Sequence, residues 1–219
     1  MITILQKEYD YYLFDFDLTL FDTAKPTSLS YKAAFAAIGI KYEEENLGLY
    51  LAEFLTDTFS RICEDKNRYE IFANAFYTES HKVMHEAEIY DDVMETLETL
   101  KKAKKKIAIV TNKDAKGVNI ILKSHNIDES FFDDIVTCEM IENRKPAPDA
   151  LLVCIRNLDS KNGRQGTAVY IGDALNDILA AQNAKIDSYL IDRDFSSNIA
   201  NAVPIYSLKN IVEKFNKGA

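Results

Sequence analysis

Tyr11-Tyr12-Leu13-Phe14-Asp15-Phe16-Asp17-Leu18-Thr19-Leu20 decides how the chain is read, because an apolar run ends there in two carboxylates one residue apart. A buried strand ordinarily gives way to turn residues, and like charges this close oppose each other's ionisation unless a cation or hydrogen bonds offset them. Alone, the pair reads as two solvated aspartates in a loop. Three later segments change that reading.

Ile107-Ala108-Ile109-Val110 runs into Thr111-Asn112, and Ala168-Val169-Tyr170-Ile171 runs into Gly172-Asp173-Ala174-Leu175-Asn176-Asp177. Between them, Lys145-Pro146-Ala147-Pro148-Asp149 follows the short β-rich run Ile135-Val136-Thr137. In an open parallel sheet, the loops leaving the carboxyl ends of the strands converge on one crevice, so these residues can meet although far apart in sequence.

The periodicity divides the chain in two. Between Phe21 and Tyr90 the pattern is helical: Leu47, Leu51, Phe54, Leu55, Phe59 and Ile62 form one apolar stripe, and Tyr69, Phe72, Ala73, Phe76, Ser80 and Val83 another. A shorter stripe at Leu29, Ala33, Ala36, Ala37 and Ile40 precedes them, with Gly39 ending its helix. After Tyr90, helices alternate with short β-branched runs, as in parallel β/α units. No internal repeat or low-complexity stretch interrupts this pattern.

With its four motifs in order, the chain resembles the haloacid dehalogenase superfamily of phosphotransferases, and in layout its phosphoglycolate-phosphatase-like members. The resemblance rests on Asp15-x-Asp17-x-Thr19, Thr111 after a strand, Lys145-Pro146 and Gly172-Asp173-x-x-x-Asp177, which frame nearly the whole chain. Leu18 stands where the family usually has Gly or Asp, a departure expected to alter loop packing more than chemistry. The implied fold is α/β: a Rossmann-like doubly wound parallel sheet core, residues 1–22 and 89–219, with an all-α helical-bundle cap, residues 23–88, inserted after the first motif. Such a cap closes over the crevice and recognises the part of the substrate beyond the phosphate, with hinges around Asp22, Thr23 and Lys25 and around Glu88 to Asp92.

The resemblance implies a role for each motif residue, and the chemistry agrees. A carboxylate stays ionised at neutral pH and attacks phosphorus without an activating base, which suits Asp15 to be the nucleophile that forms an aspartyl phosphate. Asp17 is placed to protonate the leaving oxygen and then to take a proton from the attacking water. Thr111, Asn112 and Lys145 are the expected phosphate-binding groups, Lys145 as a point positive charge. Asp15, Asp173 and Asp17, the last through its backbone carbonyl, form the expected Mg²⁺ site with Asp177, which ligates directly or orients the bound waters, since Mg²⁺ is a hard ion that prefers oxygen ligands and keeps several waters. Plainer accounts exist: Asp173 or Asp177 could cap the following helix, and Lys145 could be a solvated loop charge.

The 219 residues are 47% hydrophobic, enough for a packed core, and carry a net charge of −9, which argues against broad nucleic-acid binding. Gln6, Lys7, Glu8 and Asp10 interrupt any leading apolar run, so neither a membrane span nor a signal peptide is expected. Cys63, Cys138 and Cys154 are an odd number without metal spacing, consistent with reduced thiols in the cytoplasm. The lysine run Lys101 to Lys106 reads as a solvated helix end, where cations complement the helix dipole. His81 and His85 have a metal-clamp spacing, but Lys82 occupies the place of a zinc-protease glutamate. His125 shows no partner in the sequence.

The expected activity is Mg²⁺-dependent hydrolysis of a small-metabolite phosphomonoester. Dehalogenation itself is disfavoured, because that branch lacks the second aspartate. A phosphomutase of the β-phosphoglucomutase type would use the same two aspartates, but Thr27 stands where that branch carries a cap histidine. A signalling receiver would be about half as long and capless, and a non-catalytic phosphate-binding relative conflicts with the intact motifs. Neither the substrate, the cap residues that choose it, nor the oligomeric state is legible.

Overall fold

A computed structural model describes residues 7–193, 199 and 202–215. The elements are β1 (Tyr11–Phe14), β2 (Phe21–Asp22), α1 (Ala24–Ala37), α2 (Leu47–Ala52), α3 (Leu55–Ile62), α4 (Tyr69–Val83), β3 (Glu88–Ile89), α5 (Val93–Lys102), β4 (Lys106–Val110), α6 (Ala115–Ser124), β5 (Asp134–Val136), α7 (Asp149–Asn162), β6 (Ala168–Gly172), α8 (Leu175–Ala184), β7 (Asp187–Ile191) and β8 (Pro204–Ile205). They fall into two compact units, Met1–Phe21 with Ile89–Ala115 and Asp128–Ala219, and Asp22–Glu88 with Lys116–Ile127.

The first unit is built on a six-stranded sheet of order β5-β4-β1-β6-β7-β8 in which every pairing is parallel. Strand β1 lies at its centre, with Phe14 level with Ile109 of β4 and Ile171 of β6, so the three strands end together. Strands β1 and β6 are buried at every residue, as a sheet covered on both faces requires. One face presents Tyr11, Leu13, Ala108, Val110, Val136 and Tyr170 to Leu151, Cys154 and Leu158 of α7 and to Ala180 and Ala181 of α8. Each large side chain buried there contributes roughly 1.5–3 kcal/mol of transfer free energy.

The second unit has an aromatic core. Tyr31 and Phe35 of α1, Tyr50 of α2, Phe59 of α3 and Phe72 of α4 are all buried. Their rings meet mostly tilted or edge-on, with Phe35 and Phe72 centroids 5.6 Å apart, a geometry favoured by the ring quadrupoles. Phe59 and Phe72 come from the two long expected stripes. Helix α1 differs: its buried face carries Ser30, Tyr31, Ala34 and Phe35, whereas Ala36 and Ala37 are exposed. The apolar stripe was therefore misplaced around the helix by about one residue, because two aromatic rings gain far more from burial than several alanines. Gly39, at φ +62°, takes the left-handed conformation that ends the helix.

Residues Lys116–Ile127, which the periodicity assigned to the α/β part, group with the helical segment. A contact within this unit accompanies the grouping: a His125 ring nitrogen, Nε2, lies 2.8 Å from the Ala87 carbonyl oxygen, so this histidine has a partner after all. His85 Nδ1 lies 2.7 Å from the carbonyl of Lys82 in its own turn of chain. Cys63, Cys138 and Cys154 are free thiols. Among the described residues, no helix is long and apolar enough to cross a membrane.

Candidate active site

Asp15 follows directly on β1, and its backbone N–H continues the sheet by donating to Ile171 O at 2.8 Å. The parallel strands β4 and β6 on either side end level with it, which brings Thr111 and Asp173 to the same edge. The chain then turns tightly: Leu20 N and Phe21 N both donate to Phe16 O, and Leu18 N donates to Phe21 O. Leu18 sits inside this turn at φ +55°, a left-handed conformation that costs a residue with a Cβ roughly 1–2 kcal/mol. Glycine would escape that cost, so the departure at position 18 is a strained one.

Lys145 is the hub. Its Nζ lies 2.6 Å from Asp15 Oδ1, 2.6 Å from Asp177 Oδ1 and 2.8 Å from the Tyr170 hydroxyl. The residue is 3% exposed, so this is no solvated loop charge. Asn112 holds the lysine's backbone from both sides, its Oδ1 accepting from Lys145 N at 3.1 Å and its Nδ2 donating to Lys145 O at 3.4 Å. The Asn112 side chain thus braces the backbone of the lysine.

Asp177 does two things at once. Its Oδ2 accepts from Ala174 N at 3.0 Å, capping α8, while its Oδ1 faces Lys145. Asp173 accepts from the Thr19 hydroxyl at 3.1 Å. Carboxylate oxygens of Asp15, Asp173 and Asp177 lie within 4.8 Å of one another, a grouping able to hold a metal ion. The side chain of Asp17 is turned elsewhere, with Oδ1 2.8 Å from Lys113 Nζ. Thr111 is buried, and its hydroxyl oxygen accepts from Lys113 N at 3.1 Å.

The electrostatics follow from one buried cation shared among several acids. Burial lifts Asp15 above the ordinary carboxylate range; Lys145 opposes the rise, and Asp177 and Asp17 add to it. Asp173 is raised well above the carboxylate range by the same loss of water and by Asp177 and Asp15. Burial works against the ammonium of Lys145, yet Asp15 and Asp177 outweigh it and hold the lysine above its ordinary value. The two ends of the Asp15–Lys145 pair therefore both shift upward: the lysine gains from two carboxylates, whereas each carboxylate gets a share of one lysine.

Three contributors were not read from the sequence. Lys113 looks like a loop lysine, yet its ammonium is on Asp17. Tyr170 looks like a strand core residue, yet its hydroxyl is on Lys145. Arg193 donates to Thr19 O at 2.6 Å and to Asp92 Oδ1 at 3.2 Å, and lies 3.7 Å from the centre of the Tyr90 ring, bracing the turn after Asp17. A positive charge beside a strand end is the one signal that could have pointed to Lys113.

Residues 12–191 match the family described as haloacid dehalogenase-like hydrolase. The chain is 34% identical over 174 residues to the pyrophosphatase PpaX of Bacillus thuringiensis (strain Al Hakam), covering 78% of each protein. Its fold is similar to that of a predicted phosphoglycolate phosphatase from Haemophilus somnus 129pt, with TM-score 0.80, 23% identity and coverage of 95% and 99% of the two chains. It is also similar in fold to CbbY from Rhodobacter sphaeroides, solved with xylulose-(1,5)-bisphosphate, with TM-score 0.76, 21% identity and coverage of 94% and 96%. The chain belongs to the haloacid dehalogenase-like hydrolase family and is one of its phosphatases.

Proposed function

We propose that the protein is a cytoplasmic, Mg²⁺-dependent phosphatase that hydrolyses a small phosphorylated metabolite through a phosphoryl group carried on Asp15, with the helical segment as its cap domain. The observation that carries this reading is the position of Lys145, 2.6 Å from both Asp15 and Asp177, with Asp173 in the same carboxylate cluster. The donor set is all oxygen, which suits Mg²⁺ better than a softer ion. Asp15, Asp173 and Asp177 would hold it, where it would offset the clustered charge and act as a Lewis acid on the phosphoryl group.

The residues divide the work. An Asp15 carboxylate oxygen forms a bond to phosphorus as the bond from phosphorus to the leaving oxygen breaks, and Asp17 gives that oxygen a proton. Asp17 then takes a proton from the water that attacks the phosphorus, which frees inorganic phosphate and restores Asp15. Lys145 keeps the nucleophile aimed and offsets charge on the transferring group. The Thr111 hydroxyl accepts from Lys113 N and keeps its own proton for a phosphoryl oxygen.

Pyrophosphate, phosphoglycolate and sugar bisphosphates head the substrate panel, because the relatives and neighbours in fold carry those names. Inorganic phosphate release from each, with Mg²⁺ and with EDTA, tests the reading. Release that needs Mg²⁺ supports it; no release from any compound, or release indifferent to EDTA, contradicts it.

A further inference from the structure

Lys145 has three N–H donors and, around its Nζ, three oxygen acceptors: Asp15 at 2.6 Å, Asp177 at 2.6 Å and the Tyr170 hydroxyl at 2.8 Å. The first two are motif residues. Tyr170 is the third, fully buried on β6, two positions before Gly172. Its hydroxyl lies 2.7 Å from the carbonyl of Val110, to which it donates, and 3.2 Å from Asp177 Oδ1. A phenol has one proton, so donation to Val110 leaves a lone pair for the lysine.

Val110 is the last residue of β4 and the one before Thr111. The Tyr170 side chain therefore reaches from β6 past β1, which separates the two strands, to the end of β4. The rest of the cluster on this face is aliphatic or small apart from Tyr11, and a phenylalanine would fill the same space. Only the hydroxyl requires an account, since a buried polar group is unfavourable unless it is hydrogen-bonded.

We propose that Tyr170 is a positioning residue that acts through Lys145: its hydroxyl takes the third N–H of the ammonium and ties the lysine to the strand end bearing Thr111. Two carboxylates already fix the rotation of the ammonium about its Cε–Nζ bond, so Tyr170 adds an acceptor for the third N–H, which burial would otherwise leave unpaired. With Tyr170 in place, all three N–H groups are paired. The link between this geometry and turnover rests on the phosphatase reading; the hydroxyl-to-ammonium bond does not.

Tyr170→Phe in the full chain tests both, with thermal melting as the control for folding. Slow proton exchange of the Lys145 ammonium, followed by ¹⁵N NMR and assigned with Lys145→Arg, should become at least about tenfold faster in Y170F; an unchanged exchange rate overturns the bond. Phosphate release from pyrophosphate with Mg²⁺ should show kcat about tenfold lower in Y170F with KM little changed. Adding Y170F to Lys145→Met should then cost nothing further, because a residue that acts through the lysine has no effect without it. Wild-type kcat in Y170F, or a full additional loss in the double variant, overturns the positioning role. Should the wild type release no phosphate from any substrate, the phosphatase reading fails, and the exchange measurement alone decides the bond.

Discussion

Lys113 places its ammonium 2.8 Å from Asp17 Oδ1, and both side chains are largely shielded from water, at 10% and 31% exposure. The lysine's backbone is held on both sides. Its N–H donates to Thr111 Oγ1 at 3.1 Å and its carbonyl accepts from Cys138 N at 3.3 Å. The second aspartate of the first motif is thus oriented by the residue two places after the threonine of the second.

That orientation matters most where the leaving oxygen needs a proton. Lys113→Met is expected to lower kcat/KM about tenfold on an alkyl phosphate and less than about threefold on p-nitrophenyl phosphate, whose leaving group departs without assistance; proton transfer by a positioned group contributes about 10²–10⁴-fold in all. The ratio of the two rates checks this. Equal losses on both compounds would mean that Lys113 does not orient Asp17 for that step.

Lys145→Met would leave Asp15 and Asp177 buried without their shared cation. Removing one partner of a buried ion pair costs about 3–5 kcal/mol, so chemical denaturation of the metal-free protein should show a loss of that order. Added Mg²⁺ should recover part of it, because an ion that binds only the folded state stabilises it.

Gly172 ends β6 where an added Cβ would stand 2.4 Å from Asp177 Cγ. Asp177 cannot give way, since it caps α8 and receives Lys145. Gly172→Ala should therefore displace the carboxylate and weaken Mg²⁺ binding by about 10- to 100-fold, the range seen when groups that orient metal ligands are disturbed. Titration calorimetry checks this.

Asp10 supplies a pH signature away from the site. Arg164 donates to its Oδ1 at 2.6 Å and Thr167 N to its Oδ2 at 2.8 Å. The Arg164 bond, followed by the Thr167 N–H, holds the Asp10 carboxyl down at about 2 from its usual 3.8. A depressed carboxyl contributes stability that is present above about pH 4 and lost as pH falls toward 2. Arg164 is 61% exposed, so solvent screening limits the contribution to about 1 kcal/mol. Asp10→Asn should be less stable than the parent by that amount at pH 7 and match it near pH 2 in denaturant melts.

Much of this was legible because strand ends and motif spacings coincide. An apolar run followed by Asp15-x-Asp17, and another followed by Gly172-Asp173, can be placed at one sheet edge without coordinates. The partners of Lys113 and Tyr170 could not be read, since a loop lysine and a strand tyrosine look the same whether or not they reach across strands. Helix α1 was misplaced around its axis because counting apolar positions gave Ala36 and Ala37 the weight of Tyr31 and Phe35. The association of Lys116–Ile127 with the helical segment depends on tertiary contacts such as that of His125 with Ala87, which local periodicity does not encode.

Asp15 is the residue proposed to carry the phosphoryl group. Enzyme quenched during turnover with Mg²⁺ and substrate, then treated with borohydride, reports this directly, because hydride reduces an acyl phosphate to the alcohol. Peptide mass spectrometry should find Asp15 converted to homoserine, with Asp17 unchanged and no conversion in Asp15→Asn. Phosphate release at wild-type rate without any conversion at Asp15, or sustained turnover by Asp15→Asn, would contradict the account.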